Sequence, residues 1–386
     1  MKSHFLLRPD ITYLNHGSFG ACPKPIFADY QKWQLELEAE PVQFILNNSN
    51  KYLKRSKDAL ANFINCAPED FFFTVNPTYA INTVMRSLNL QPGDEILSTD
   101  HEYGAMDKTW NFYCKTSGAK YVRQQITLPI VSKEQIISEF WKGYNSRTKA
   151  IFLNQISSAT ALIFPVKEIC EKAKQLGLIT IIDGAHVPGH ISLDLQELQA
   201  DYYTGTLHKW MLTPKGSSFL YVRKELQNSL DPLVVSWGYE SETPGASQFL
   251  DYHEQQGTRD ISAFLTAPAA IKFLEDNDWE AVSAKCRKVV NDNYERFCNL
   301  LGSKPLCPVT NEFLGQMASI SADVADPIAL KQLLFDKYKI EIPIMTANGN
   351  VYIRFSINAY NEQKDLDVLY VALQDIITNT CLITVK

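Results

Sequence analysis

The sequence predicts an α/β protein built on a mainly parallel sheet flanked by helices, followed by a smaller C-terminal α+β domain. Two observations predict it. Short apolar runs alternate with amphipathic helical stretches through the centre of the chain, and beyond about Asp260 longer helical segments take over before two further strand-like stretches. The length of 386 residues allows a large core and two domains. The expected division is an N-terminal segment over 1–20, a large domain over 21–260 and a small domain over 261–386.

The strand readings rest on Glu95–Ser98 (EILS), Ala150–Leu153 (AIFL), Leu178–Ile182 (LITII) and Phe219–Val222 (FLYV). Between the middle two, Val166–Leu176 (VKEICEKAKQL) sets Ile169, Ala173 and Leu176 on one helical face. Further on, Ser262–Glu275 and Trp279–Leu301 read as helices, Met317–Ser321 and Val351–Ile357 as strands, and Glu362–Thr378 as a final helix. Parallel sheets of this kind bind ligands beyond the carboxyl ends of their strands, so residues just after each strand draw attention.

Composition removes several classes of function. A net charge of −6 without a basic run argues against a nucleic-acid partner. No apolar run is long enough for a membrane span, and the N-terminal FLL is too short for a signal-peptide core. The eight cysteines are scattered without a CxxC pair, which speaks against a metal site and against a disulfide framework and for a reducing, cytoplasmic setting.

The chemistry concentrates in two neighbouring stretches. The strand ITIIDGAH ends in Asp183, and Asp201–Gly216 (DYYTGTLHKWMLTPKG) carries Lys209 in a Thr- and Gly-rich turn. Singly, such an Asp is a turn residue or cap and such a Lys is solvated. Together they are the pair that pyridoxal 5′-phosphate chemistry needs: an amine to hold the cofactor aldehyde and a carboxylate to keep the pyridine nitrogen protonated. Asn76-Pro77-Thr78-Tyr79 opens a helical pattern, where backbone N–H groups and a Thr hydroxyl suit a phosphate; taken alone, the segment fits an ordinary Asn- or Thr-capped helix better.

Eight segments in order then resemble the class V aminotransferase group of fold type I pyridoxal phosphate enzymes, and within it the isopenicillin N epimerase-like and cysteine desulfhydrase-like proteins. They are YLNHGSFGACP (Tyr13–Pro23), EPVQF (Glu40–Phe44), NPTYAINTV (Asn76–Val84), TDHEYGA (Thr99–Ala105), DGAHVPG (Asp183–Gly189), LHKWMLTPKG (Leu207–Gly216), GTRD (Gly257–Asp260) and YIRFSINAYN (Tyr352–Asn361). The resemblance implies that Thr78, Tyr79, Thr206 and His208 hold the phosphate, with Gly257 and Thr258 reaching it from the partner subunit of a homodimer. It implies that His186 meets the phenolic oxygen of the ring. It implies a side chain stacked on the ring from Thr99–Ala105, with Tyr103 favoured over His101 and available as an acid. Ser158, with Ser157 and Asn154, lines the ring edge. Arg354 binds the substrate α-carboxylate, and Asn15, His16 and Gly17 cover the site mouth. Two departures stand out: Asn154-Gln155 where relatives often carry Asp-His, and Trp237 where they often carry histidine.

The resemblance implies a small-molecule amino-acid substrate, no metal, and a reaction that opens with removal of the Cα proton by Lys209. Beyond that step, β-elimination from a cysteine-like substrate stands first, epimerisation close behind and transamination third. A cofactor-dependent binding protein without catalysis is the reading from another class. A desulfurase that carries sulfur on its own thiol is disfavoured, because Lys339–Tyr352, ahead of Arg354, holds no cysteine and the nearest upstream is Cys307.

Overall fold

The structure is a computed structural model and describes residues 1–385. Its centre is a seven-stranded sheet in the spatial order Phe71–Thr74, Ser218–Val222, Tyr202–Thr206, Ile179–Gly184, Thr148–Asn154, Glu95–Thr99, Lys120–Gln124. All run parallel except Ser218–Val222, which is antiparallel to both its neighbours. The strand ends that carry Asn76, His101, Asn154, Asp183 and Thr206 therefore open on one edge of the sheet.

Both faces of this sheet are covered, and the strand sequences show why. Phe71, Phe73, Leu97, Ile151, Leu153, Ile182, Tyr203 and Phe219 enter one apolar core, while Phe72, Ile96, Ala150, Phe152, Ile181, Tyr202 and Leu220 enter a second. Adjacent residues point to opposite faces, so a strand that is apolar at every position satisfies two cores at once. The helix Val166–Gln175 buries Val166, Ile169, Cys170 and Ala173. Leu176 does not share that face as expected; it is exposed, because the helix closes there and Gly177 turns the chain with φ +69°.

Three strands of this sheet escape the sequence reading. Phe71–Thr74 and Tyr202–Thr206 are buried at every position, the latter within what reads as a Thr- and Gly-rich turn. Gly205 is in that strand for room: a Cβ there would lie 2.6 Å from the Phe219 ring. Lys120–Gln124 is a polar edge strand with no alternating apolar signal.

A second, antiparallel sheet has the order Ile344–Ala347, Asn350–Ser356, Met317–Val324, Ile383–Thr384. It packs under the helices Trp279–Leu300 and Gln363–Asn379. The N-terminal strand Thr12–Tyr13 pairs in parallel with Ile340–Glu341. The Ser356 N–H then donates to the Leu14 carbonyl (2.8 Å) and the Gly17 N–H to Ser356 Oγ (3.1 Å). These bonds lay the segment after Leu14 between the two sheets. No helix among the described residues is long and apolar enough to cross a membrane.

Gly184, inside the DGAH motif, is the tightest point of the main sheet. A Cβ would sit 2.0 Å from the Tyr203 hydroxyl, which itself donates to Gln155 Oε1 at 2.8 Å. Gly184→Ala is expected to lower stability by about 1–3 kcal/mol through overpacking, read from the urea midpoint; an unchanged midpoint would show that Tyr203 has room to move.

Candidate active site

The shared strand edge opens on a cavity of about 360 Å³. Its wall contains Thr78, Tyr103, Asn154, Ser158, Asp183, His186, Thr206, His208 and Lys209, together with Ser18, Phe19 and Gly216. Residues from six separate chain segments meet there because each follows, or faces, the same edge of the sheet.

Lys209 lies on the turn after Tyr202–Thr206, and its backbone is gripped from behind. His16 Nε2–H donates to the Lys209 carbonyl (3.0 Å), which leaves Nδ1 to accept from the Tyr360 hydroxyl (2.9 Å). Gly20, at φ +67°, comes so close that a Cβ would lie 2.8 Å from Lys209 Cα. Burial lowers the Lys209 ammonium to about 8; the Asp183 carboxylate opposes the shift and the Arg354 charge adds to it. Asp183 is buried at the end of its strand, and Oδ1 accepts the Ala185 N–H at 2.9 Å. Burial raises its carboxyl above the usual range, with the Ala185 bond and Lys209 pulling the other way.

The histidines of the cleft are held neutral. Burial drives His186 well below its ordinary range, with Lys209 and Arg354 adding to the effect. The Trp210 indole donates to His186 Nδ1 (3.3 Å), so Nε2 carries the proton and is the donor. His208 is lowered to about 4, again by burial, and its Nδ1 bonds the Ser217 carbonyl at 2.8 Å.

Arg354 stands directly behind the cleft wall. It is 1% exposed; Nη1 donates to Ser158 O and Oγ, and Nη2 to Ser18 Oγ (3.0 Å). Its Nε is buried without a partner, and no carboxylate pairs with it among the described residues. Burial lowers even this guanidinium, to about 10. A buried cation lacking a counter-charge is costly unless an anion arrives.

The cleft does not gather every expected residue. His101 is buried beneath it, its ring nitrogens against Thr160 Oγ1 (3.2 Å) and Ile126 O (3.3 Å), whereas Tyr103 is 47% exposed on the wall. The Tyr79 N–H is occupied by the Asn76 cap (2.8 Å), and the Tyr79 hydroxyl is buried unpartnered outside the cavity wall. Asn15 turns away to Glu341 (2.9 Å). Gly257 and Thr258 line a different cavity with Phe44, Ile45 and Trp237. The same cavity holds the 87% exposed Trp237 indole, away from Lys209 of its own chain. Gln155 faces Tyr203, and Ser157 donates to the His101 carbonyl.

Sequence reasoning missed four contributors. Ser18 and Phe19 line the cleft, and only their place within NHGSFG marked them. Trp210, beside the lysine, packs between His16 and His190 while donating to His186. Glu102 is buried at the strand end, accepting from Thr99 Oγ1 (2.7 Å) and the Asn154 N–H (2.9 Å). Burial, with Asp183 adding to it, raises the Glu102 carboxyl well above the carboxylate range. Nothing in the sequence separates it from a surface glutamate.

The residues present fit pyridoxal phosphate. Thr206 Oγ1 is buried on the cavity wall with no partner, as a hydroxyl awaiting an anion would be. Thr78 begins a helix whose N-terminus faces the same cavity, which favours a dianion. Asp183 and Lys209 are a carboxylate and an amine on the same wall, the two groups a pyridine nitrogen and an aldehyde would need.

Comparison with known proteins agrees. The aminotransferase class-V family model matches residues 22–369. An isopenicillin N epimerase of Amycolatopsis lactamdurans is 30% identical over 96% of both chains. A probable chloroplastic L-cysteine desulfhydrase of Arabidopsis thaliana is 27% identical over 96% of this chain and 83% of that protein. A cysteine desulfurase of Escherichia coli superposes with a TM-score of 0.82 at 20% identity, covering 98% of this chain and 97% of the other, a likeness of fold. The chain belongs to the class V aminotransferase family, and it is an enzyme whose cofactor is pyridoxal phosphate.

The Lys209 amine should therefore react with an amine-directed reagent in the cofactor-free protein along a curve centred near pH 8. Reactivity rises with pH because only the neutral amine is nucleophilic. Asp183→Asn should move the midpoint lower, since the carboxylate favours the ammonium. Peptide mass spectrometry reads both; a Lys209 midpoint coinciding with the surface lysines would contradict the burial argument.

Proposed function

On the premise of that family, we propose that the enzyme catalyses β-elimination from a cysteine-like amino acid, as a C–S lyase. One observation carries the choice: among the described residues Lys209 is the one amine on the cleft wall, and both imidazoles beside it are held neutral with Nδ1 already engaged. Elimination asks for one strong base and a good leaving group. Epimerisation asks for a second group that returns a proton to Cα from the opposite face, a task that would fall to Tyr103 in place of protonating sulfur.

Arg354 fixes the α-carboxylate through parallel hydrogen bonds, entering between Ser18 and Ser158. Lys209 Nζ removes the Cα proton; with its ammonium near 8, roughly a tenth is neutral at pH 7. Pyridoxal phosphate, when bound, supplies the sink for the electron pair left at Cα. Asp183 holds the proton on the ring nitrogen, and His186 Nε2–H donates to the ring oxygen. The Cα–H and Cβ–S bonds break, a Cα=Cβ bond forms, and the sulfur leaves as a thiol with a proton from the Tyr103 hydroxyl. Water then completes the products, pyruvate and ammonia. A thiol of pKa about 8.5 leaves readily, so the demand on Tyr103 is modest.

The reading extends to a homodimer in which Gly257 and Thr258 of one copy meet the phosphate held by the other. The exposed Leu46, Val235 and Trp237 near that loop support it. It extends also to a reducing, cytoplasmic setting, supported by eight unpaired cysteines. No cysteine lies on the cleft wall, which supports a lyase over a desulfurase that takes sulfur onto its own thiol. The 30% identity to isopenicillin N epimerases favours epimerisation as the second reading.

NMR of the cofactor-loaded enzyme in D₂O with cysteine, cystine and a cysteine S-conjugate decides between them. Pyruvate, ammonia and a sulfur product are expected from at least one of the three. Deuterium at Cα of intact amino acid of both hands would replace elimination by epimerisation. In the same assay Arg354→Lys should raise KM about 100-fold through loss of the paired bonds, and an unchanged KM would remove Arg354 from carboxylate binding.

A further inference from the structure

Ser18 and Phe19 border a second cavity as well as the cleft. It measures about 540 Å³ and is walled by Leu7, Ile11, Tyr13, Phe335, Ile344 and Met345, with Asn15 and Glu341 among the polar residues. The cleft holds Lys209 and, behind its wall, Arg354. The second cavity begins at the same Ser18 that accepts from Arg354 Nη2. The Arg354 guanidinium therefore lies next to the border between the cleft and an apolar chamber larger than the cleft.

Two features mark that chamber as a ligand site and not only a fold in the surface. Asn15 is 6% exposed, and with Nδ2 donated to Glu341 its Oδ1 stays buried with no donor. Phe19 is 67% exposed at the shared border, an apolar ring turned mostly to solvent. A buried acceptor without a partner is costly, and apolar walls gain from contact with apolar groups.

We propose that this chamber receives the sulfur substituent of the substrate, and that the enzyme acts on cysteine S-conjugates with bulky, mainly apolar substituents and not on free cysteine. The inference rests on the reading that Arg354 holds an amino-acid carboxylate in the cleft. Phe19 sits between the reacting carbon and the substituent, and Asn15 Oδ1 accepts an N–H or O–H carried by it.

Calorimetry on the cofactor-loaded enzyme tests this with two probes that lack a Cα hydrogen and so bind without turnover, S-benzyl-α-methyl-L-cysteine and α-methyl-L-serine. The benzyl probe should bind at least tenfold tighter. That ratio should fall towards one in Met345→Trp, which fills the chamber, and several-fold in Phe335→Ala, a truncation of a 37% exposed side chain that spares the core. Equal affinity of the two probes, or a ratio unmoved by either variant, overturns the proposal. A changed dimerisation equilibrium with an unmoved ratio would assign the chamber to a second copy and likewise overturn it. Turnover separates this from the reaction itself. If S-benzyl-L-cysteine gives no pyruvate while its α-methyl analogue keeps the tenfold ratio, elimination fails and the chamber stands. If cysteine gives pyruvate and the ratio is one, the chamber fails and elimination stands.

Discussion

The structure depends on a deficit of negative charge. Lys209 and Arg354 are gathered at the edge of one sheet, while among the described residues Asp183 is the one carboxylate on the cleft wall. Burial weakens both cations, bringing Lys209 to about 8 and Arg354 to about 10. It keeps the neighbouring histidines neutral, so they add no further positive charge, and raises the buried Glu102 carboxyl. Such an arrangement is costly without anions. A phosphate and an α-carboxylate are the two anions whose places it leaves open.

The fold supplies the geometry with few devices. Parallel strands put five successive strand ends on one edge, and the antiparallel Ser218–Val222 returns the chain so that Gly216 reaches the same place. The small sheet delivers Arg354 from outside, and the N-terminal segment closes the gap because Thr12–Tyr13 pairs with Ile340–Glu341. His16 then fixes the Lys209 backbone and Ser18 holds Arg354. The first twenty residues join the lysine's turn to the arginine's strand, and Gly17 and Gly20 give the closeness this needs: a Cβ at Gly17 would lie 2.4 Å from Met317 Sδ.

Much of this was legible in the sequence. Runs such as AIFL and LITII declare buried strands because both faces must be apolar, and Asp183 and Lys209 follow such a strand at a spacing with chemical meaning. Tyr202–Thr206 was hidden because Gly205 weighs against a strand locally and the segment runs straight into a turn, while burial against Phe219 decides it in the fold. Lys120–Gln124 was hidden because an edge strand carries little apolar signal. Within the site, motif order brought forward Thr78, Tyr103, His186, Thr206, His208 and Arg354. It could not show that His101 turns beneath the cleft, that Asn15 faces Glu341, or that Glu102 is buried, since each depends on contacts between segments distant in the chain.

The central claim is that Lys209, and no other lysine, holds the cofactor. Borohydride reduction of the protein after incubation with pyridoxal phosphate, followed by peptide mass spectrometry, tests it most directly. The account predicts a phosphopyridoxyl group on the peptide containing Lys209, absent in Lys209→Ala and weakened in Thr206→Val. Label spread over surface lysines, or persisting in Lys209→Ala at the same extent, would contradict it.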